Sequence, residues 1–208
     1  MGSTEDFSTG MTYGGKVGWG IPVGDSLELY KARLYVVSDT KFRSKQLLKL
    51  TALADSEVVR NTFLSLDAKY YKNFSRHTLA LHYLIKWGFE LDSSRQFQLG
   101  ADSGLRGYPA RSFTGEKMML LNIEDRQFWG TYSIAAAFEF GTVIFVDAGN
   151  VWKDDQDIDL GDLNWSAGVG IRIGLENMAG SPILRLDYGW ALGDNSGSEI
   201  TAGLEQHF

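Results

Sequence analysis

No cysteine occurs among the 208 residues, which excludes both a disulfide scaffold and a thiolate metal site. Such a chain is at home in an oxidising periplasm, although many cytosolic proteins also lack cysteine. No stretch of about 18 consecutive apolar residues is present, so a transmembrane helix is excluded. Positive charge is short, with 20 Lys and Arg against 26 Asp and Glu and a net charge of −6. That balance argues against nucleic acid as a partner. Histidine is scarce as well. Of His77, His82 and His207 only His82 falls mid-strand, and no serine is placed by spacing to serve beside it as a nucleophile. Hydrolytic chemistry needs such a pair within reach, so no enzymatic activity, catalytic residue or cofactor is expected. With only three prolines, long strands go uninterrupted.

What is present is alternation. Aromatic residues make up 13% of the chain and there are 24 glycines. In Thr78 to Phe89, Leu79, Leu81, Tyr83, Ile85, Trp87 and Phe89 fall on one face, while Ala80, His82, Leu84, Lys86 and Gly88 fall on the other. Side chains of a strand point alternately to opposite sides, so the segment is read as a strand with one greasy and one mainly polar face. The same period runs through Leu64–Tyr70, Leu121–Arg126, Ala167–Gly174, Leu184–Trp190 and Ile200–Phe208. In a soluble antiparallel sheet the polar face would be the outside. Here that face carries Arg, Asp, Glu and Gly at mid-strand, and large aromatics sit on the apolar face near strand ends. An aromatic girdle outside and a charged lumen inside account for both features. A mean hydropathy of −0.17 does not conflict, because only alternate residues of a barrel strand meet lipid.

The expected fold is therefore an all-β antiparallel transmembrane barrel, read as a single domain over 1–208. The first six residues are set aside as a cloning remnant or unstructured start. Ten strands are expected near 10–19, 26–37, 45–54, 58–72, 77–91, 116–128, 133–151, 164–175, 182–192 and 198–208, with eight as the alternative if the first hairpin does not span. Each is long enough to cross hydrocarbon, which takes about 9–11 tilted residues. An even count puts both termini on one side. With these in the periplasm, 92–115, 152–163 and 193–197 face outside, and 129–132 and 176–181 face the periplasm. The strand running to Phe208, with Gly203 and Leu204, is expected to close the barrel.

Gly104-Leu105-Arg106-Gly107-Tyr108 resembles the [VIL]-R-G-[FY] signature of the BamA/TamA/FhaC superfamily of outer-membrane assembly and secretion barrels, also called the surface-antigen family. Three further elements follow in family order. Leu120 to Arg126 resembles the strand whose Glu and Arg point into the lumen, here Glu124 and Arg126. Phe145-Val146-Asp147-Ala148-Gly149 resembles the F-x-D-x-G strand. Ser166 to Gly170 and Ser181 to Gly189 resemble the two strands after it. The resemblance runs from about residue 90 to the end. It implies that the Arg-bearing loop folds back into the lumen, where Arg106 meets Asp147 with Glu124 nearby. Chemistry agrees, since a poorly hydrated guanidinium among wall carboxylates is resolved by a bidentate pair. Gly104 and Gly107 would let the loop turn tightly.

The chain departs from the family in two ways. Relatives carry periplasmic POTRA modules ahead of sixteen strands. This sequence has no such α/β pattern, so it resembles a short branch or the C-terminal barrel part of a larger member. Asp125 stands on the lipid face where the family usually has an aromatic, which is tolerable near the periplasmic rim. Two other motifs are discounted. Gly168, Gly170 and Gly174 lie inside a strand and leave room rather than bind a dinucleotide. The acidic run Asp154, Asp155, Asp157, Asp159 and Asp162 has its glycine one place late for a calcium loop and lacks the closing Glu, so no metal is expected.

The resemblance implies a bacterial outer-membrane protein that inserts or translocates proteins or lipids. Its expected partners are outer-membrane lipids including lipopolysaccharide, an unfolded outer-membrane protein client and a second copy in a homodimer. A passive structural barrel or small pore is the alternative.

Overall fold

A computed structural model describes the backbone of residues 10–19, 30–41, 46–57, 60–133, 137–175, 183–193 and 197–204, and the side chains of 62–132, 138–174, 183–193 and 197–204. Twelve strands follow in chain order: β1 (Gly10–Trp19), β2 (Tyr30–Lys41), β3 (Gln46–Glu57), β4 (Arg60–Asn73), β5 (His77–Phe89), β6 (Phe97–Leu99), β7 (Phe113–Gly115), β8 (Lys117–Ser133), β9 (Ala137–Trp152), β10 (Asn164–Leu175), β11 (Ile183–Leu192) and β12 (Ser198–Leu204). Ten form one antiparallel sheet in the order β1-β2-β3-β4-β5-β8-β9-β10-β11-β12, each neighbour a hairpin partner of the next. The remaining two, β6 and β7, pair as a separate hairpin whose tip is the loop 100–112.

The ten expected spans correspond to the ten strands of this sheet, but the expectation of a closed barrel is corrected. Among the described residues β1 and β12 are the two edges, with no ladder between them. Phe208, expected to finish the closing strand, lies outside the described residues, as do His207 and the connection at 176–181. A second correction concerns 129–132. These residues are not a connection but the end of β8, which continues past a bulge between Phe128 and Gly130 and pairs with β9 down to Ser133 and Ala137. An extra residue in one strand shifts the register by one and sharpens the local bend.

The alternation sorts side chains as a membrane strand requires. Leu64, Leu66, Ile123, Ile144, Val146, Val169, Ile171, Leu184, Leu186, Ile200 and Leu204 are exposed on one face. Exposed aromatics flank this band. Trp87, Phe89, Trp165 and Trp190 stand towards the end that carries the 100–112 loop, and Phe74, Trp129 and Tyr132 stand towards the other. Among the described residues no helix is long and apolar enough to cross a membrane. Asp125 does lie on this outer face, but midway along β8 rather than at its rim, with its carboxylate 3.3 Å from His77 Nδ1.

The core sits on the opposite face. Leu99, Leu105 and Tyr108 of the hairpin and its loop pack on Met118, Leu120, Val151 and Ala191 of the wall, all buried. The lumen is thus apolar beneath part of the loop and charged beside it, rather than charged throughout. Full burial of a leucine is worth about 1.5–3 kcal/mol, so Leu99 and Leu105, both 0% exposed, hold the loop inward before any charge is considered.

Candidate functional site

The loop turns where the sequence allows it. Gly104 and Gly107 have φ of 117° and 94°, a region that residues bearing a Cβ rarely enter. A Cβ on Gly107 would also stand 2.7 Å from the carbonyl carbon of Trp190, and one on Gly104 would stand 2.5 Å from Leu120. The loop therefore lies with its backbone against the wall. The wall leaves room in return, since a Cβ on Gly189 of β11 would fall 2.7 Å from the Gly107 nitrogen. Leu105 N donates to Gly100 O at 2.9 Å and Ala101 N to Tyr108 O at 3.1 Å, which closes the loop on itself. Tyr108 reaches further, its hydroxyl donating to Trp165 O at 3.1 Å. Burial raises the pKa of that phenol, so it remains a donor.

Arg106 projects between these turns and is 0% exposed. Its Nε donates to Asp147 Oδ2 at 2.8 Å and its Nη2 to Asp147 Oδ1 at 2.7 Å, a bidentate fork, while its backbone nitrogen donates to Oδ2 at 3.2 Å. Nη1 donates to Glu124 Oε1 at 2.6 Å. The guanidinium carbon lies 3.5 Å from the centroid of the Phe145 ring, a cation–π contact strengthened by the absence of water. Burial opposes the charge on Arg106, but the hydrogen bond to Asp147 and the charges of Asp147, Glu124 and Asp187 outweigh it and raise its pKa above the ordinary arginine value.

Phe145-x-Asp147-x-Gly149 thereby acquires a physical account. A period of two turns all three inward. Phe145 supplies the face under the guanidinium and Asp147 the fork. Gly149 lets Leu99 come close, since a Cβ there would meet its side chain at 2.9 Å.

The expected residues Arg106, Glu124 and Asp147 are brought together. Arg126 joins them through Glu124, its Nε donating to Oε2 at 2.7 Å. Gly203 and Leu204 are not part of this site. Leu204 faces outward, 66% exposed, and Gly203 lies against the Arg185 side chain. Sequence reading missed Asn122, Phe145 and a second ionic group. Asp187 accepts from Arg172 Nη1 at 2.5 Å and from Arg185 Nη1 at 3.1 Å, and lies 3.6 Å from Arg106 Nη1. The discounted glycines belong here as spacers. A Cβ on Gly168 would strike the Phe145 ring, and one on Gly170 would strike Asp187. Parity marked Asp187, Arg185 and Arg172 as inward. No motif joined them to the loop.

Asn122 connects the loop to the wall. Its Nδ2 donates to Gly104 O at 2.7 Å and to Asp147 Oδ1 at 2.8 Å. Among the described residues no group of three or more histidines and carboxylates is arranged to hold a metal ion.

Comparison with known families matches the Omp85 superfamily domain to residues 38–207. A search of the curated proteins finds no match.

Proposed function

The chain belongs to the Omp85 superfamily, and from that premise we propose that it is an integral protein of the bacterial outer membrane that takes part in inserting or translocating proteins or lipids. Its inward loop acts as an anchored plug. The observation that carries this reading is Arg106, wholly buried and forked onto Asp147 while also bonded to Glu124. A guanidinium desolvated to this degree costs several kcal/mol unless paired, so the contact has two states, seated or released, with little between. A plug that moves as one unit is what a gated barrel requires.

The sheet edges supply the rest of the mechanism. An unpaired strand edge is a template for another strand, and in hydrocarbon each unmatched backbone group is costly. The edges at β1 and β12 are thus where an unfolded outer-membrane protein client, or a second copy of the chain, would add. Lipids, lipopolysaccharide among them, would cover the apolar band.

The test is insertion of an unfolded outer-membrane protein into liposomes that hold this chain or its Arg106→Ala variant. Acceleration by the parent chain, altered in the variant, is the expected result. A specific observation favours a second reading, that of a passive structural barrel: the loop's polar groups are already matched within the wall. No acceleration by either chain, both being folded, would select that reading.

A further inference from the structure

Buried beside the loop anchor, but not part of it, is His82 on β5, 7% exposed. Its Nδ1 lies 2.9 Å from Asn122 Oδ1, and its Nε2 lies 3.2 Å from Asp67 Oδ1 of β4, an oblique ion-pair contact. The neighbours of Asn122 fix the protons. Both groups met by its Nδ2, the Gly104 carbonyl and the Asp147 carboxylate, only accept, so the amide nitrogen must face them and Oδ1 must face His82. An amide oxygen only accepts, hence Nδ1 of His82 carries a hydrogen. A neutral imidazole carries one hydrogen in all. Its Nε2 would then turn a lone pair on a carboxylate, acceptor against acceptor. Both contacts are satisfied together when a second proton resides between Nε2 and Asp67.

We propose that His82 and Asp67 are positioning residues for the inward loop. A proton held between them keeps Asn122 turned so that it carries Gly104 and Asp147. This rests on the reading of the loop as an anchored plug, and extends it to a wall remote from Arg106. When the proton leaves, either Nε2 faces Asp67 without a hydrogen or the tautomer shifts and Nδ1 faces the Asn122 oxygen without one. One contact opens either way. In the first case the ring is pushed from Asp67 and no longer braced against Asn122 from behind. In the second the Asn122 contact itself is lost, so the support of Gly104 weakens in both. The loop is held more firmly while the pair keeps its proton and loosens when rising pH removes it.

The charged groups around the pair among the described residues are few. Lys69 Nζ stands 3.9 Å from Asp67 Oδ2, and Lys86 on β5 acts on Asp67 by its charge. Glu124, Asp147 and Arg106 lie beyond Asn122, already bonded to one another. Asp67, with Oδ1 at 3.2 Å from Nε2, is the charged group nearest the ring, so Asp67 is the residue to change.

A chain without cysteine takes one label cleanly. A spin label at Ala110→Cys, on the exposed part of the loop, reads docking as an immobile fraction in the full chain folded in vesicles. The ratio of docked to released loop is expected to fall about ten-fold between about pH 5 and pH 8. Asp67→Asn is expected to stay docked with a flat profile, because an amide can donate to Nε2 of a neutral ring. Nitrogen chemical shifts of the histidine whose signal is lost in His82→Gln should show hydrogens on both ring nitrogens at the acid end. A flat profile in the parent, a parallel profile in Asp67→Asn, or a neutral ring at acid pH would each overturn the proposal. Arg106→Ala in the same assay reports separately on the anchor: a label immobile there at every pH counts against the plug itself.

Discussion

Arg106 serves Asp147 and Glu124 from one planar group, and a lysine, with a single ammonium point, cannot reproduce the fork. Its removal leaves Asp147 buried without the cation that forks onto it, while Glu124 keeps Arg126 at 2.7 Å, and losing one partner of a buried pair costs about 3–5 kcal/mol. Arg106→Ala is therefore expected to lower stability by that amount, read by urea unfolding in vesicles, and Arg106→Lys to recover only part of it. A double change of Arg106 and Asp147 should cost less than the two single changes added, since it removes both ends of one pair. At this scale the sequence was legible where a motif marked the residue, as for Arg106, Asp147 and Glu124. Asn122 carried no mark, because an asparagine at an inward position reads as ordinary lining. Its two hydrogen bonds depend on how far the loop descends, which no spacing encodes. The part played by Phe145 was hidden for the same reason: an aromatic on an inward face looks like core until a cation is found over it.

Between elements, the contact that seats the loop is backbone on backbone. Gly107 meets β11 at Trp190 and Gly189 with no side chain between them, so size matters there more than polarity. Gly189→Ala is expected to lift the loop while leaving the sheet intact. Trypsin should then cut after Arg111, which is exposed, well before it does in the parent chain, with unchanged β-sheet circular dichroism. Equal cleavage in both would mean that the loop tolerates a Cβ and does not rest on the wall. Strand positions and facing were readable because period two survives in β5, β10 and β11. The bulge at Phe128 and Gly130 was not, since one inserted residue alters pairing without altering composition. The short β6 and β7 escaped notice because three residues are too few to display a period. Their buried Leu99, like Leu105 in the loop, does work that alternation does not describe.

For the molecule as a whole, the two faces make opposite demands. Val169 is 47% exposed midway along β10, while its neighbours Gly168 and Gly170 point to the crowded interior. If the outer face meets hydrocarbon, Val169→Arg should cost about 2–4 kcal/mol of folding stability in vesicles, the penalty for a cation near the bilayer midplane. Tryptophan fluorescence along a urea titration measures it, and an unchanged midpoint would place that face in water. Fold class was legible in the sequence because the membrane imposes alternation on every strand. Closure was not, because the ends of a sheet are decided by pairing rather than by pattern. The glycine-lined wall also bears on how the molecule is made. The loop at 100–112 precedes in the chain every strand from β8 to β11 that it rests on. Phe145 and Gly189 lie directly against it, the one under the Arg106 guanidinium and the other at Gly107. The order of residues along the chain thus supplies the pattern before the mould that fits about it.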